Sequence, residues 1–135
     1  MQILKFFPLV LSGFISGIII YQSLLIAPSI NKLLSSEDAS LYLRYIWPKF
    51  FIIIGLLSLL CFVCISLFNS NQSTAKIFSI LSTILMLISY LSIPSMNQAK
   101  DSLNESLFMF LHLGSIILTI ITLLLNFSIF IFWKY

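Results

Sequence analysis

Residues 107–133 read LFMFLHLGSIILTIITLLLNFSIFIFW, a run without a single Asp, Glu, Lys or Arg. A helix needs roughly 20 apolar residues to cross about 30 Å of hydrocarbon, and this run exceeds that. The pattern predicts a transmembrane helix over about 103–133, entered from the polar text around Glu105. Working outward, three more runs of the same kind cover 6–27, 50–68 and 77–93. All seven Lys and Arg and all four Asp and Glu lie outside the four runs. Such placement is what lipid imposes, because a charge at the bilayer centre costs about 2.5 to 3.5 kcal/mol.

The chain of 135 residues is 60% hydrophobic and only 8% charged, against roughly 25% charged in soluble domains. It holds too few polar side chains to cover a water-facing surface of this size. The sequence therefore predicts an all-α integral membrane four-helix bundle, antiparallel in up-down order, as a single domain over 1–135. The first run is expected to stay as a span. Its apolar stretch is long for a signal peptide, and Leu25-Ile26-Ala27-Pro28-Ser29 offers no small-x-small cleavage site. The net charge of +3 is scattered without a basic tract, which speaks against nucleic acid and leaves the lipid bilayer as the expected partner. Twenty-three isoleucines against four alanines suggest an AT-rich genome and hence a bacterial inner membrane.

Between the first two runs, Ser35 and Asp38 have the spacing of a capping box, with Leu41, Tyr42, Tyr45, Ile46 and Trp47 following. This predicts a short interfacial helix over about 36–47, with Pro48 kinking or restarting the chain into the second span. Pro28 is read as the exit of the first helix and Pro94 as the end of the third. Ser102 and Glu105 are read as a second capping box opening the fourth helix, with Trp133, Lys134 and Tyr135 anchoring its far end. Both termini fall on one side with Lys5, Lys76 and Lys134, against Lys32, Arg44, Lys49 and Lys100 on the other. That balance does not decide orientation.

The fourth span carries His112, Ser115, Thr119, Thr122 and Asn126, spaced 3, 4, 3 and 4 residues apart, which places them within an arc of roughly 80° on a helix. Lipid would penalise this polar seam, so it should face other helices or a wet cavity. Two readings stay open: hydrogen bonds that join helices, or a site where a small solute, a proton or a metal is bound or passed. His112 titrates near neutrality and lies about 10 Å beyond Glu105 along the axis, on the same face. Gln22, near the exit of the first helix, is a buried amide in need of partners and could meet His112 across the bundle. Gly13 and Gly17 are four apart and form a small-residue face suited to helix packing. Cys61 and Cys64 make a C-x-x-C mid-membrane, a weak metal candidate and equally good as small core residues. No cofactor is expected. His112 and Met109 share one side of one helix and cannot clasp a haem from both faces. No Walker loop, serine elbow, zinc pair or carboxylate pair is present, so the chain is not read as an enzyme.

Several of these residues recur together in a known family. Gly17 followed by Ala27-Pro28, Trp47-Pro48-Lys49-Phe50, Pro94 with Lys100-Asp101, and Phe108, His112 and Ser115 resemble the transmembrane protein 205-like family over most of the chain. The chain departs from it at Thr119, where the family often has asparagine. The resemblance implies a membrane domain of unknown function. Its eukaryotic relatives are associated with resistance to a platinum drug, which implies handling of a soft metal complex. Taken together, the expectation is a small multi-pass protein, homo-oligomeric or joined to a membrane partner, with solute, proton or metal binding or passage at the seam around His112. An accessory or assembly subunit with no substrate of its own is the alternative.

Overall fold

A computed structural model of the chain describes residues 2–134, so the anchoring role expected of Tyr135 lies outside the described residues. The elements are α1 (Gln2–Tyr21), a π-helical turn (Gln22–Ile26), α2 (Ala27–Leu33), α3 (Ser36–Phe68), α4 (Ser73–Asp101) and α5 (Glu105–Phe132). Four stretches, Leu4–Leu33, Ser36–Phe68, Ser73–Asp101 and Glu105–Phe132, are long and apolar enough to cross a membrane. With Leu and Ile exposed along every one of them, the chain is a four-helix, multi-pass membrane protein of the all-α class.

The prolines do not stop helices as the sequence suggested. Before Pro28 the chain widens into the π turn, with Ala27 N–H bonding back to the Gln22 carbonyl, and then continues as α2. A proline lacks the N–H of the normal ladder and crowds the carbonyl four residues earlier, and the wider turn relieves both. Pro48 lies inside the 33 residues of α3, so no break separates the expected short helix over 36–47 from the second span. Trp47 stacks on Phe51 with ring centroids 5.5 Å apart, and Phe50 and Phe51 are buried, so packing on both sides of Pro48 offsets one lost hydrogen bond. Pro94 is likewise internal to α4, which runs on to Asp101.

The helix ends are explicit. Ser35 Oγ accepts from Asp38 N–H at 3.1 Å and donates to Asp38 Oδ2 at 2.7 Å, so the first expected cap is present. The second is not a Ser102–Glu105 box. Asn104 caps α5 instead, accepting from Leu107 N–H at 3.1 Å, while Ser102 Oγ donates to the Ala99 carbonyl at the end of α4.

The four long helices form a closed ring in which α1 and α4 each touch both α3 and α5. Hydrogen bonds across the ring pair the start of one helix with the end of its neighbour, which makes neighbours antiparallel. Asn69 Nδ2 donates to the Lys5 carbonyl at 3.1 Å. Gln72 clasps the end of α5 twice, donating to the Lys134 carbonyl at 2.6 Å and accepting from Lys134 N–H at 3.1 Å. At the other end Arg44 holds Asp101. The interior divides into two clusters, Leu9, Leu11, Cys61, Ile65, Ala75, Ile129 and Trp133 toward the termini, and Ile15, Ile19, Phe50, Phe51, Ile54, Met86 and Ile93 toward the opposite end. Trp133 thus packs into the core rather than standing in an interfacial belt. Buried Ser12, Ser58, Ser79, Ser82 and Ser89 let the backbones approach between these clusters.

Candidate functional site

The seam on α5 faces inward. Ser115, Thr119, Thr122 and Asn126 are buried, while His112 at its upper end is partly exposed. The hydroxyls turn back on their own helix. Ser115 donates to the His112 carbonyl at 2.8 Å, Thr119 to the Ser115 carbonyl at 2.8 Å and Thr122 to the Leu118 carbonyl at 2.9 Å. Only Asn126 reaches across, its Nδ2 donating to Ser82 Oγ at 3.3 Å and to the Thr122 carbonyl at 2.9 Å. The lower seam therefore holds polar groups in a form the bundle can bury, with Thr122 fully enclosed.

Around His112 the geometry changes. Three helices converge on a cavity of about 60 Å³, lined by Ser40, Leu43, Arg44, Trp47 and Phe51 of α3, Ile93, Met96, Asn97 and Lys100 of α4, and Phe108, His112 and Ser115 of α5. A single water needs only about 10 to 15 Å³ by the same measure, so the chamber holds several. Its base is apolar and its rim cationic. The His112 ring stacks on Phe108, centroids 5.6 Å apart at 6°, and Lys100 Nζ lies 4.9 Å from the Phe108 centroid. Arg44 Nη1 donates to Asp101 Oδ2 at 3.1 Å, with Nη2 bonded to the other carboxylate oxygen. That bidentate pairing ties the start of α3 to the end of α4. Glu105 lines an adjoining recess with Leu103 and Met109 that shares Lys100 and Phe108 with the chamber.

Gln22 does not meet His112. It sits in the π turn, 8% exposed, on a second cavity of about 270 Å³ between α1 and α5 that also touches Ile19, Ile20, Trp47, Phe50, Ser115, Ile116, Thr119, Ile120 and Leu123. Trp47 and Ser115 form the wall shared by the two spaces. The Gln22 Nε2 is buried without a hydrogen-bond partner. The π turn that places it there had no signal in the sequence beyond Pro28.

The remaining candidates fall elsewhere. Within the chain Gly13 and Gly17 do not make the close contact of α1. Both are exposed, a Cβ at Gly13 would meet only Phe130 at 3.4 Å, and Gly17 has nothing within 4 Å. The inner face belongs to their neighbours Ser12 and Ser16. Cys61 and Cys64 are both free and buried. The Cys61 thiol is used in packing, taking a hydrogen bond from Ser79 Oγ at 3.4 Å and donating to the Pro8 carbonyl at 3.5 Å. No group of three or more His, Cys, Asp or Glu suited to a metal occurs among the described residues.

Comparison with protein families, with curated proteins and with solved structures found no match.

Proposed function

We propose that this protein binds a small anionic or polar solute in the His112 chamber, at the membrane face where α3 begins and α4 ends. The observation that carries this reading is the convergence of Arg44, Lys100 and His112, from three different helices, on one apolar-based cavity. A low-dielectric wall strengthens the attraction of the Arg44 and Lys100 cations for an anion, and Asp101 neutralises only Arg44. The imidazole accepts no side-chain hydrogen bond among the described residues and so is available to a ligand. Residues that carry the resemblance to the transmembrane protein 205-like family, namely Trp47, Lys100, Phe108, His112 and Ser115, also line this chamber. That convergence is the ground for proposing membership in such a family, and the isoleucine-rich composition is the ground for proposing a bacterial inner membrane. Binding fits better than passage through one chain, because the seam below is closed by Thr122 and Asn126.

Fluorescence quenching tests it. In a Trp133→Phe protein only Trp47, on the chamber wall, reports. Iodide should then quench roughly threefold more effectively than caesium, and Lys100→Ala should remove most of the difference. Equal quenching by the two ions would end the reading. A second reading, an accessory subunit with no substrate, draws on the exposed Gly13 and Gly17 face, where another helix can approach closely. It predicts that His112→Ala is silent while Gly17→Leu abolishes association with a partner or second copy, read by cross-linking in membranes.

A further inference from the structure

We propose that the groove between α1 and α5 is a binding site for a glycerophospholipid, whose ester carbonyl accepts a hydrogen bond from the Gln22 amide. The acyl chain then lies along Ile19, Ile116, Ile120 and Leu123. The starting point is an unmet donor. Gln22 is almost fully covered, and its Nε2 is buried with no acceptor. A buried donor left in this state is costly, more so than a carbonyl oxygen in the same place. A half-turn about the last side-chain bond exchanges two atoms of nearly equal size, so an acceptor in the groove that Gln22 lines would draw the NH₂ to it and leave the oxygen in the covered place. The Ser115 and Thr119 hydroxyls on the opposite wall already donate to carbonyls of their own helix, which leaves the Gln22 amide, beside the Ser23 hydroxyl and the Trp47 indole N–H, to serve a ligand acceptor in this space.

The chemistry of the rest of the groove selects the ligand. Its lining contains no charged side chain, so the carboxylate of a free fatty acid would enter without a counter-ion, whereas an ester carbonyl is a neutral acceptor. The groove opens sideways, between residues that face lipid: Ile20, Leu24 and Ile120 are 37%, 69% and 51% exposed. Its depth also fits. Trp47 borders the same space, and tryptophan at a span end marks the headgroup boundary, where glycerol esters lie. The volume of about 270 Å³ is many times the roughly 10 to 15 Å³ that one water needs by this measure and is walled largely by aliphatic chains, which suits a hydrocarbon tail. The π turn holds Gln22 toward this space. Such single-turn bulges are the means by which helices commonly re-aim a side chain at a ligand.

The experiment compares dioleoyl phosphatidylcholine with its diether analogue, which has the same chains and headgroup but no carbonyls. Native mass spectrometry of the full chain in detergent counts lipids retained. One diester lipid per chain should survive, with the diether analogue and Gln22→Leu each weakening retention about tenfold. Ile120→Trp, which fills the groove from the opposite wall, should remove it. Should Gln22→Leu fail to fold, the lipid pair and Ile120→Trp still decide. Equal retention of diester and diether lipid would overturn the proposal. So would displacement by oleate at equal concentration, or a dimer that forms with no lipid held. None of these outcomes touches the His112 chamber, which the iodide and caesium comparison reads separately.

Discussion

Leu103 stands at φ 56°, in left-handed backbone where a β-carbon crowds the chain. Its position is forced by the way α4 ends. Asn104 N–H bonds to the Ala99 carbonyl at 2.9 Å and Leu103 N–H to the Lys100 carbonyl at 3.2 Å, the paired closure that normally ends on glycine. Leu103 is 86% exposed, so its side chain adds little packing in return. Leu103→Gly should therefore raise unfolding stability by about 1 kcal/mol, measured by denaturant unfolding in mixed micelles. A decrease would show that the leucine makes a contact with lipid or partner that outweighs the strain. A few residues away, Asp101 is paired with Arg44. The pair holds only while the carboxylate is charged, so acid that protonates it removes the contribution, and ordinary aspartate titrates at about 3.9. Thermal stability should hence fall below about pH 4 in the parent protein and change less in Asp101→Asn. The same acid sensitivity in both would assign it to Glu37, Asp38 or Glu105. At this scale the sequence was informative about polarity and less so about partners. The inward stripe from Ser115 to Asn126 followed from helical spacing, because lipid admits no other solution. That Gln22 would face α5 and not His112 depended on a one-residue widening of the helix, which periodicity at 3.6 cannot reveal.

Among the helices, prolines gave the least reliable signals and charges the most reliable. Pro28 and Pro94 each suggest an end, and Pro48 a kink or restart, when the chain is read with rules learned in water, where a lost hydrogen bond and an exposed carbonyl are enough to stop a helix. In this bundle the helices run through all three, because neighbouring helices and a π turn accommodate what the ring disrupts and no unpaired backbone is tolerated in lipid. The ends lie instead at Ser35 and Asn104, where side-chain oxygens cap free N–H groups. Ser102 and Glu105 had the right spacing for such a cap, but the left-handed Leu103 moves the start of α5 past Ser102. Between α4 and α5 the one polar side-chain link in the lower seam is Asn126 to Ser82. Asn126 also keeps a bond to its own helix, so the cross-helix link should be weak. A double-mutant cycle of Asn126→Leu and Ser82→Ala should give a coupling of about 0.6 kcal/mol, measured by reversible unfolding in bicelles. A coupling above about 2 kcal/mol would mean that the pair organises the bundle rather than merely satisfying buried groups.

Across the whole molecule the two ends of the ring are built differently, and this difference governs where solvent enters. At the terminal end Gln72 clasps Lys134 and Asn69 holds the Lys5 carbonyl, with Trp133 and Leu9 packed beneath. At the opposite end the helices part, leaving the chamber beside His112 and the groove beside Gln22. Water and small solutes should therefore reach the interior from one membrane face only. Cysteine accessibility can read this directly. Cys61 and Cys64 are both buried, so neither should react with a membrane-impermeant maleimide in sealed vesicles. In a Cys61→Ala, Cys64→Ala background, a cysteine replacing Asn97 on the chamber wall should be labelled from one side, at least about tenfold faster than one replacing Ser82 in the closed seam. Gln72→Ala should leave that ratio unchanged, because it loosens only the clasped end. Rapid labelling at Ser82, or labelling of the chamber from both faces, would show a continuous aqueous path and return passage through the bundle to consideration. Protection of the chamber itself would instead remove the premise on which solute binding near His112 rests.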